Sequence, residues 1–187
     1  MADISFQAIK IGLLGSAEIA TIIADRLSSL PEVPVVLDPV LKAGGGANLY
    51  DGRLMDALVN SLLPRVTLLT PNFQEARLLG QYDNMDDCAK MLLEKGCRGV
   101  LITGGDEETP SVQNYLYDGK TRQIYTWKRV AEGAHGSGCT LASAIAALIA
   151  QGLDLTQAVE QAQQYTWNSL CHAFRPGHGQ KFPRRLQ

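Results

Sequence analysis

Val66-Thr67-Leu68-Leu69-Thr70-Pro71-Asn72-Phe73-Gln74-Glu75-Ala76 passes from a short apolar run, through a Thr-Pro-Asn turn, into an amphipathic segment. The run has the β-branched and leucine content of a strand buried on both faces. Asn72 is a residue type that caps helices, with Glu75 three positions on as its capping-box partner. The stretch therefore reads as strand, turn, helix. The same order recurs on either side of it. Ala8 to Leu14 and Pro34 to Asp38 are earlier apolar runs, and Gly99 to Thr103 is a later one. Ala17 to Leu30, Asp51 to Leu63, Asn72 to Gly80 and Asp83 to Lys95 carry apolar residues at spacings of three and four, as helices do. Strands alternating with crossover helices make a parallel sheet with helices on its faces, so the fold class is α/β.

After Gly104-Gly105 the pattern changes. Asn114 to Tyr117 and Arg122 to Trp127 alternate polar and apolar residues around Asp118-Gly119, which predicts a hairpin. Two helices follow, Cys139 to Gln151 and Leu155 to Ala173, with Gly152 where a helix end favours a left-handed residue. The tail from Arg175 shows no periodicity. A chain of 187 residues suits one domain, 1–187, and contains no internal repeat.

With 45% hydrophobic and 19% charged residues the composition is that of a globular protein. A net charge of -2 gives no electrostatic reason to expect nucleic acid or an anionic membrane as partner, and Arg184-Arg185 is too small a basic cluster to alter that. Cys88, Cys97, Cys139 and Cys171 have no zinc-site spacing and read as reduced thiols, and His135, His172 and His178 show no metal-binding pairing. Met1 to Gln7 lacks a basic segment followed by an apolar run. The expectation is a cytoplasmic protein acting on a small molecule.

Chemistry concentrates in a few places. His135-Gly136-Ser137-Gly138-Cys139-Thr140 runs directly into the small-residue helix Leu141 to Ala147. Glycines there let backbone amides turn inward, and a helix start adds unpaired N–H groups and a positive dipole end, which together make an anion hole. Cys139 at that start is expected to have its thiolate stabilised; the alternative is a glycine loop packing an ordinary helix. Asn72 and Glu75 lie at the C-terminal end of a strand, the rim where open α/β sheets bind ligands, and oxygen ligands there suit Mg²⁺. The capping box accounts for the same two residues, and both readings are compatible. Asp38, followed by Pro39 and then by Gly44-Gly45-Gly46, and Thr103 before Gly104-Gly105 end strands on that same rim. Trp127 and Trp167 read as packing residues.

Asp38-Pro39-Val40, Thr70-Pro71-Asn72 with Glu75-Ala76, and Gly136-Ser137-Gly138-Cys139-Thr140, opened by Ile9-Lys10-Ile11-Gly12-Leu13-Leu14-Gly15-Ser16, stand in the order found in the hydroxymethylpyrimidine/phosphomethylpyrimidine kinases of thiamine biosynthesis. The chain resembles that family over essentially its whole length. The resemblance implies a ribokinase-like three-layer α/β/α fold with a mostly parallel sheet, and ATP-dependent phosphorylation of a pyrimidine alcohol or its monophosphate with Mg²⁺. Cys139 discriminates, because sugar and pyridoxal kinases of the superfamily usually carry Asp there. By the same resemblance Cys139 would deprotonate or align the acceptor hydroxyl, and the amides of Gly136, Ser137 and Gly138 would stabilise the transferring phosphoryl group. Asn72, Thr103, Gly104 and Asp38 would serve the nucleotide, and Glu75 and Asp38 the metal. Two departures accompany the match. Thr103 stands where many relatives have Lys, and relatives carry a further N-terminal segment holding a first strand, a glycine-rich loop and much of the pyrimidine pocket. The resemblance thus implies an N-terminally shortened fold, weak nucleotide binding and little turnover by the chain alone, and association into a dimer or larger homo-oligomer.

Overall fold

The computed structural model describes residues 4–43 and 46–186; Gly44 and Gly45 of the glycine run lie outside the described residues. Six strands form one sheet in the order β1 (Ile9–Ile11), β2 (Val35–Leu37), β3 (Leu68–Leu69), β4 (Val100–Thr103), β5 (Ser111–Tyr117), β6 (Arg122–Lys128). The first four are parallel neighbours, and β5 and β6 extend the sheet as an antiparallel hairpin after β4. The mostly parallel sheet is as expected. The hairpin strands are longer than their alternation suggested, and the parallel strands are shorter.

Alternation along the strands divides the core. Val35, Leu37, Leu69, Val100 and Ile102 point to one face, where they meet residues of α1 (Ala17–Leu27), α2 (Gly52–Ala57), α3 (Phe73–Gly80) and α4 (Met85–Glu94). Val36, Leu68, Leu101 and Leu116 point to the other and pack on α5 (Ser137–Ala150) and α6 (Leu155–Cys171). These strand residues are at most 1% exposed, which explains why the runs are apolar without a polar alternate. The result is the three-layer α/β/α arrangement.

The segment expected as one helix from Asp51 to Leu63 is broken. It begins as α2, widens into a π-helical turn over Leu58–Leu62 and tightens into a 3-10 turn over Leu63–Arg65. Pro64 accounts for the ending, since its ring cannot continue the hydrogen-bond ladder. Gly152 follows α5 with φ 93°, in the expected left-handed conformation. The tail is more ordered than its sequence suggested: Phe174 and Phe182 exchange backbone hydrogen bonds of 3.0 and 2.9 Å, and Lys181 accepts 2.8 Å from the amide of His135.

Candidate active site at the start of the small-residue helix

Among the described residues the α-helix starts follow one rule with one exception. Ser16, Asp51, Asn72, Asn84 and Asp154 each accept a backbone N–H at the start of α1, α2, α3, α4 and α6. α5 begins at Gly136, at φ 89°, with no side-chain cap. The first intrahelical bond there is from Thr140 N to Gly136 O, 3.0 Å, so the amides of Ser137, Gly138 and Cys139 precede the ladder. This is the backbone arrangement that receives an anion.

The parallel strands deliver the remaining groups to that place. Asp38, just beyond β2, lies beside the helix start: its Oδ1 is 4.0 Å from where a side-chain carbon on Gly138 would stand. Its Oδ2 is 3.2 Å from Lys10 Nζ, which reaches across from β1. Asp38 is 6% exposed and the Lys10 side chain 21%, so this pair is partly desolvated.

Cys139 is exposed at the start of α5 but its thiol faces Asp38. Burial of the sulfur raises its pKa above that of an ordinary cysteine, and the carboxylate of Asp38 raises it further; Lys10 and Arg185 counteract only in part. The expected stabilised thiolate is therefore corrected. The amides at the start of α5 have no side-chain cap, but partial burial and the carboxylate of Asp38 favour the protonated thiol of Cys139 over its thiolate.

Asn72 and Glu75 form the full capping box. Asn72 Oδ1 accepts from Glu75 N at 2.8 Å, and Glu75 Oε2 accepts from Asn72 N at 3.0 Å. The other oxygen, Oε1, accepts from Leu41 N at 3.2 Å, tying the segment after Asp38 to α3. Burial raises the Glu75 pKa; the two amides oppose that, and Asp38 and Asp106 reinforce it. Both carboxylate oxygens are thus committed to the backbone. Among the described residues no group of three or more His, Cys, Asp or Glu converges on one point. The rim does not form a cage for a bare cation. It fits a hydrated Mg²⁺ carried by phosphates, which needs only one or two carboxylates nearby.

Thr103 and Gly105 line the neighbouring cleft, with Gly104 between them. Thr103 N donates to Pro71 O at 2.9 Å, continuing the sheet ladder, and Gly104 N donates to Asn114 Oδ1 at 3.1 Å. A side chain on Gly104 would lie 2.5 Å from the carbonyl oxygen of Gln113, so only glycine fits. Asn114 and Trp127 both donate to Gln163 Oε1, at 2.8 and 3.0 Å, fixing the hairpin to α6. Val112, Trp127, Leu141, Trp167 and Leu170 give this cleft an apolar wall between the hairpin and the two helices, and Ser137 and Gly138 also line it. The tryptophans pack on each other, as expected, with ring centroids 6.3 Å apart, and they also line the cleft.

Three residues of this region escaped the sequence reading. Lys10 had one available signal, a lone cation inside an apolar strand. Arg129 donates to the carbonyls of Gly105 at 3.0 Å and Thr109 at 2.5 Å, and also to that of Glu107, clamping the loop after Gly104. Arg185 donates from Nε to Thr140 Oγ1 at 3.0 Å. Nothing local in sequence distinguishes either arginine, because both work through contacts some 20 to 45 positions away.

The layers, the strand order and the ligand rim define a ribokinase-like α/β protein. The family model of phosphomethylpyrimidine kinase matches residues 1–184, and the chain belongs to that family. It is 36% identical over 187 residues to a hydroxymethylpyrimidine/phosphomethylpyrimidine kinase of Synechococcus elongatus, an alignment covering 96% of this chain and 71% of that one. Among solved structures it resembles an ADP complex of Bacillus subtilis pyridoxal kinase, with TM-score 0.88, 28% identity and coverage of 98% of this chain and 72% of the other. It also resembles the phosphomethylpyrimidine kinase of Clostridium difficile, with TM-score 0.75, 29% identity and coverage of 88% and 69%. Among the described residues no helix is long and apolar enough to cross a membrane.

Proposed function

We propose that the chain is an ATP-dependent kinase of hydroxymethylpyrimidine and of its monophosphate, serving thiamine biosynthesis. The observation that carries the reading is the start of α5, the one α-helix among the described residues without a side-chain cap, which lies beside Asp38 and lines the apolar cleft. Relatives of that activity support it.

In this reading the cleft of Val112, Trp127, Leu141, Trp167 and Leu170 takes the nucleotide base, and Thr103, Gly104, Asn72 and Asp38 border its phosphates. The acceptor oxygen attacks the γ-phosphorus as the bond to the β-phosphate oxygen breaks, and ADP leaves. The amides of Gly136, Ser137 and Gly138 receive the charge on the transferring group, which is where a loose transition state needs stabilisation. Cys139 aligns the acceptor hydroxyl as a thiol, and the Cys139–Asp38 pair takes up the proton. Glu75 and Asp38 are the carboxylates that would hold Mg²⁺, which when bound would neutralise charge on the phosphates.

A second acceptor, pyridoxal, is favoured by the likeness to the Bacillus subtilis enzyme. Coupled measurement of ADP release with hydroxymethylpyrimidine, its monophosphate and pyridoxal tests the assignment. Release dependent on a pyrimidine supports it, and faster turnover of pyridoxal overturns it.

A further inference from the structure

We propose that Arg185 is an anion-binding residue of this site that favours an acceptor already bearing a phosphate over the neutral alcohol. The proposal rests on the reading of the site as a phosphoryl-transfer centre.

The position of Arg185 is set by the fold. Tyr165 of α6 donates its hydroxyl to the Arg185 carbonyl at 2.7 Å, and Arg184 N donates to Ser169 O at 2.9 Å. With the Phe174–Phe182 and His135–Lys181 bonds, the tail is tied both to α6 and to the loop before α5. Its side chain is then held by one corner. Nε donates to Thr140 Oγ1 at 3.0 Å, while that hydroxyl donates onward to Gly136 O at 2.7 Å. Thr140 is 4% exposed, so this anchor is rigid. Nη2 lies over the glycine turn, 3.0 Å from where a Cβ on residue 136 would be.

Other cations around the loop are already matched. Lys181 and Arg175 face Glu132, at 2.7 and 3.7 Å, and Lys10 faces Asp38. Among the described residues Arg185 pairs with no carboxylate, and it is exposed. Its Nη groups therefore remain available beside the anion hole, on the wall of a groove that also contains Cys139, Ser143, Ala147 and Tyr165.

The chemistry separates the two acceptors at this point. An alcohol brings no charge, and the amides of the α5 start need to accommodate one phosphoryl group. A phosphate monoester attacks through its own oxygen, so two phosphoryl groups stand side by side and a further cation is required. A planar guanidinium meets a phosphate with two parallel N–H donors, a geometry an ammonium lacks.

The test compares Arg185→Gln and Arg185→Lys in the full chain, with folding verified by urea unfolding. Arg185→Gln should lower kcat/KM for phosphomethylpyrimidine about tenfold more than for hydroxymethylpyrimidine, the effect of one charged hydrogen bond on the ratio of the two. Arg185→Lys should restore part of the loss. An equal fall with both acceptors would reduce Arg185 to a support for Thr140 and overturn the proposal, as would no change with either. Calorimetric titration of inorganic phosphate separates this proposal from the kinase assignment. If the unaltered protein turned over neither pyrimidine, the kinase reading would fail, while phosphate affinity still decides the matter. Weaker phosphate binding by Arg185→Gln upholds the role of Arg185, and unchanged binding refutes it.

Discussion

Lys10 Nζ stands 3.2 Å from Asp38 Oδ2, a cation from the first strand facing the carboxylate that raises the pKa of Cys139. The pair joins two strand ends that are 28 positions apart in sequence. Lys10→Met leaves a mostly buried carboxylate without its partner. Because Lys10 keeps some solvent contact, the cost is expected at about 1–3 kcal/mol, below that of a fully buried pair. The double substitution with Asp38→Asn should recover much of the loss, and urea unfolding of the two single variants and the double variant measures the coupling.

Cys139 should react with iodoacetamide slowly at neutral pH. Its folded pKa lies above the free-cysteine value of about 8.5, chiefly through burial, so the thiolate fraction rises only as the solution passes that value. In a Cys171→Ser background, alkylation rate against pH should show a midpoint above that of a model thiol. A midpoint below it would reinstate the stabilised thiolate. Cys139→Ser should retain more turnover than Cys139→Ala, which is expected to lose about 10²-fold while nucleotide affinity persists.

Removal of the Glu75 carboxylate unpairs two amides at once, those of Leu41 and Asn72. Glu75→Ala should therefore destabilise by about 1–3 kcal/mol even without nucleotide, more than the roughly 1 kcal/mol expected for Asn72→Ala at a helix cap. Thermal denaturation of the ligand-free protein checks the order of the two effects.

Gly136→Ala is opposed by backbone and neighbour together. At φ 89° a side chain strains the chain by about 1–2 kcal/mol, and its Cβ would press on Arg185 Nη2. Turnover should fall more than stability, because the displaced amides are those proposed for the phosphoryl group. Comparison of kcat with the melting temperature decides this.

The acid limb of stability should respond to Asp86, which accepts from Tyr117 Oη at 2.7 Å and faces Arg122 at 3.0 Å. These partners hold its folded pKa below the unfolded value, the tyrosine bond foremost. A depressed carboxyl pKa contributes stability above the unfolded value of about 3.9 and loses it as pH falls through the folded one. The difference in melting temperature between the unaltered protein and Asp86→Asn should be full at neutral pH and shrink in strong acid.

Local sequence determined the parts of this protein that depend on neighbours along the chain. The Val66 to Ala76 stretch specifies strand, turn and capped helix because the apolar run, the Asn72 cap and the Glu75 partner act within one helical turn of each other. Gly136-Ser137-Gly138 marks a helix start without a side-chain cap for the same reason, since amide direction is a property of the turn itself. What surrounds that helix start was decided only by tertiary structure. Lys10 and Asp38 meet because β1 and β2 pair in parallel, Cys139 is brought to them by the packing of α5 on the sheet, and Arg185 arrives because the tail folds back on α6. The thiol of Cys139 shows the consequence most directly. A helix start taken alone lowers a cysteine pKa, but partial desolvation of the sulfur and the nearby carboxylate of Asp38, groups brought there by the fold, act in the opposite direction and raise it.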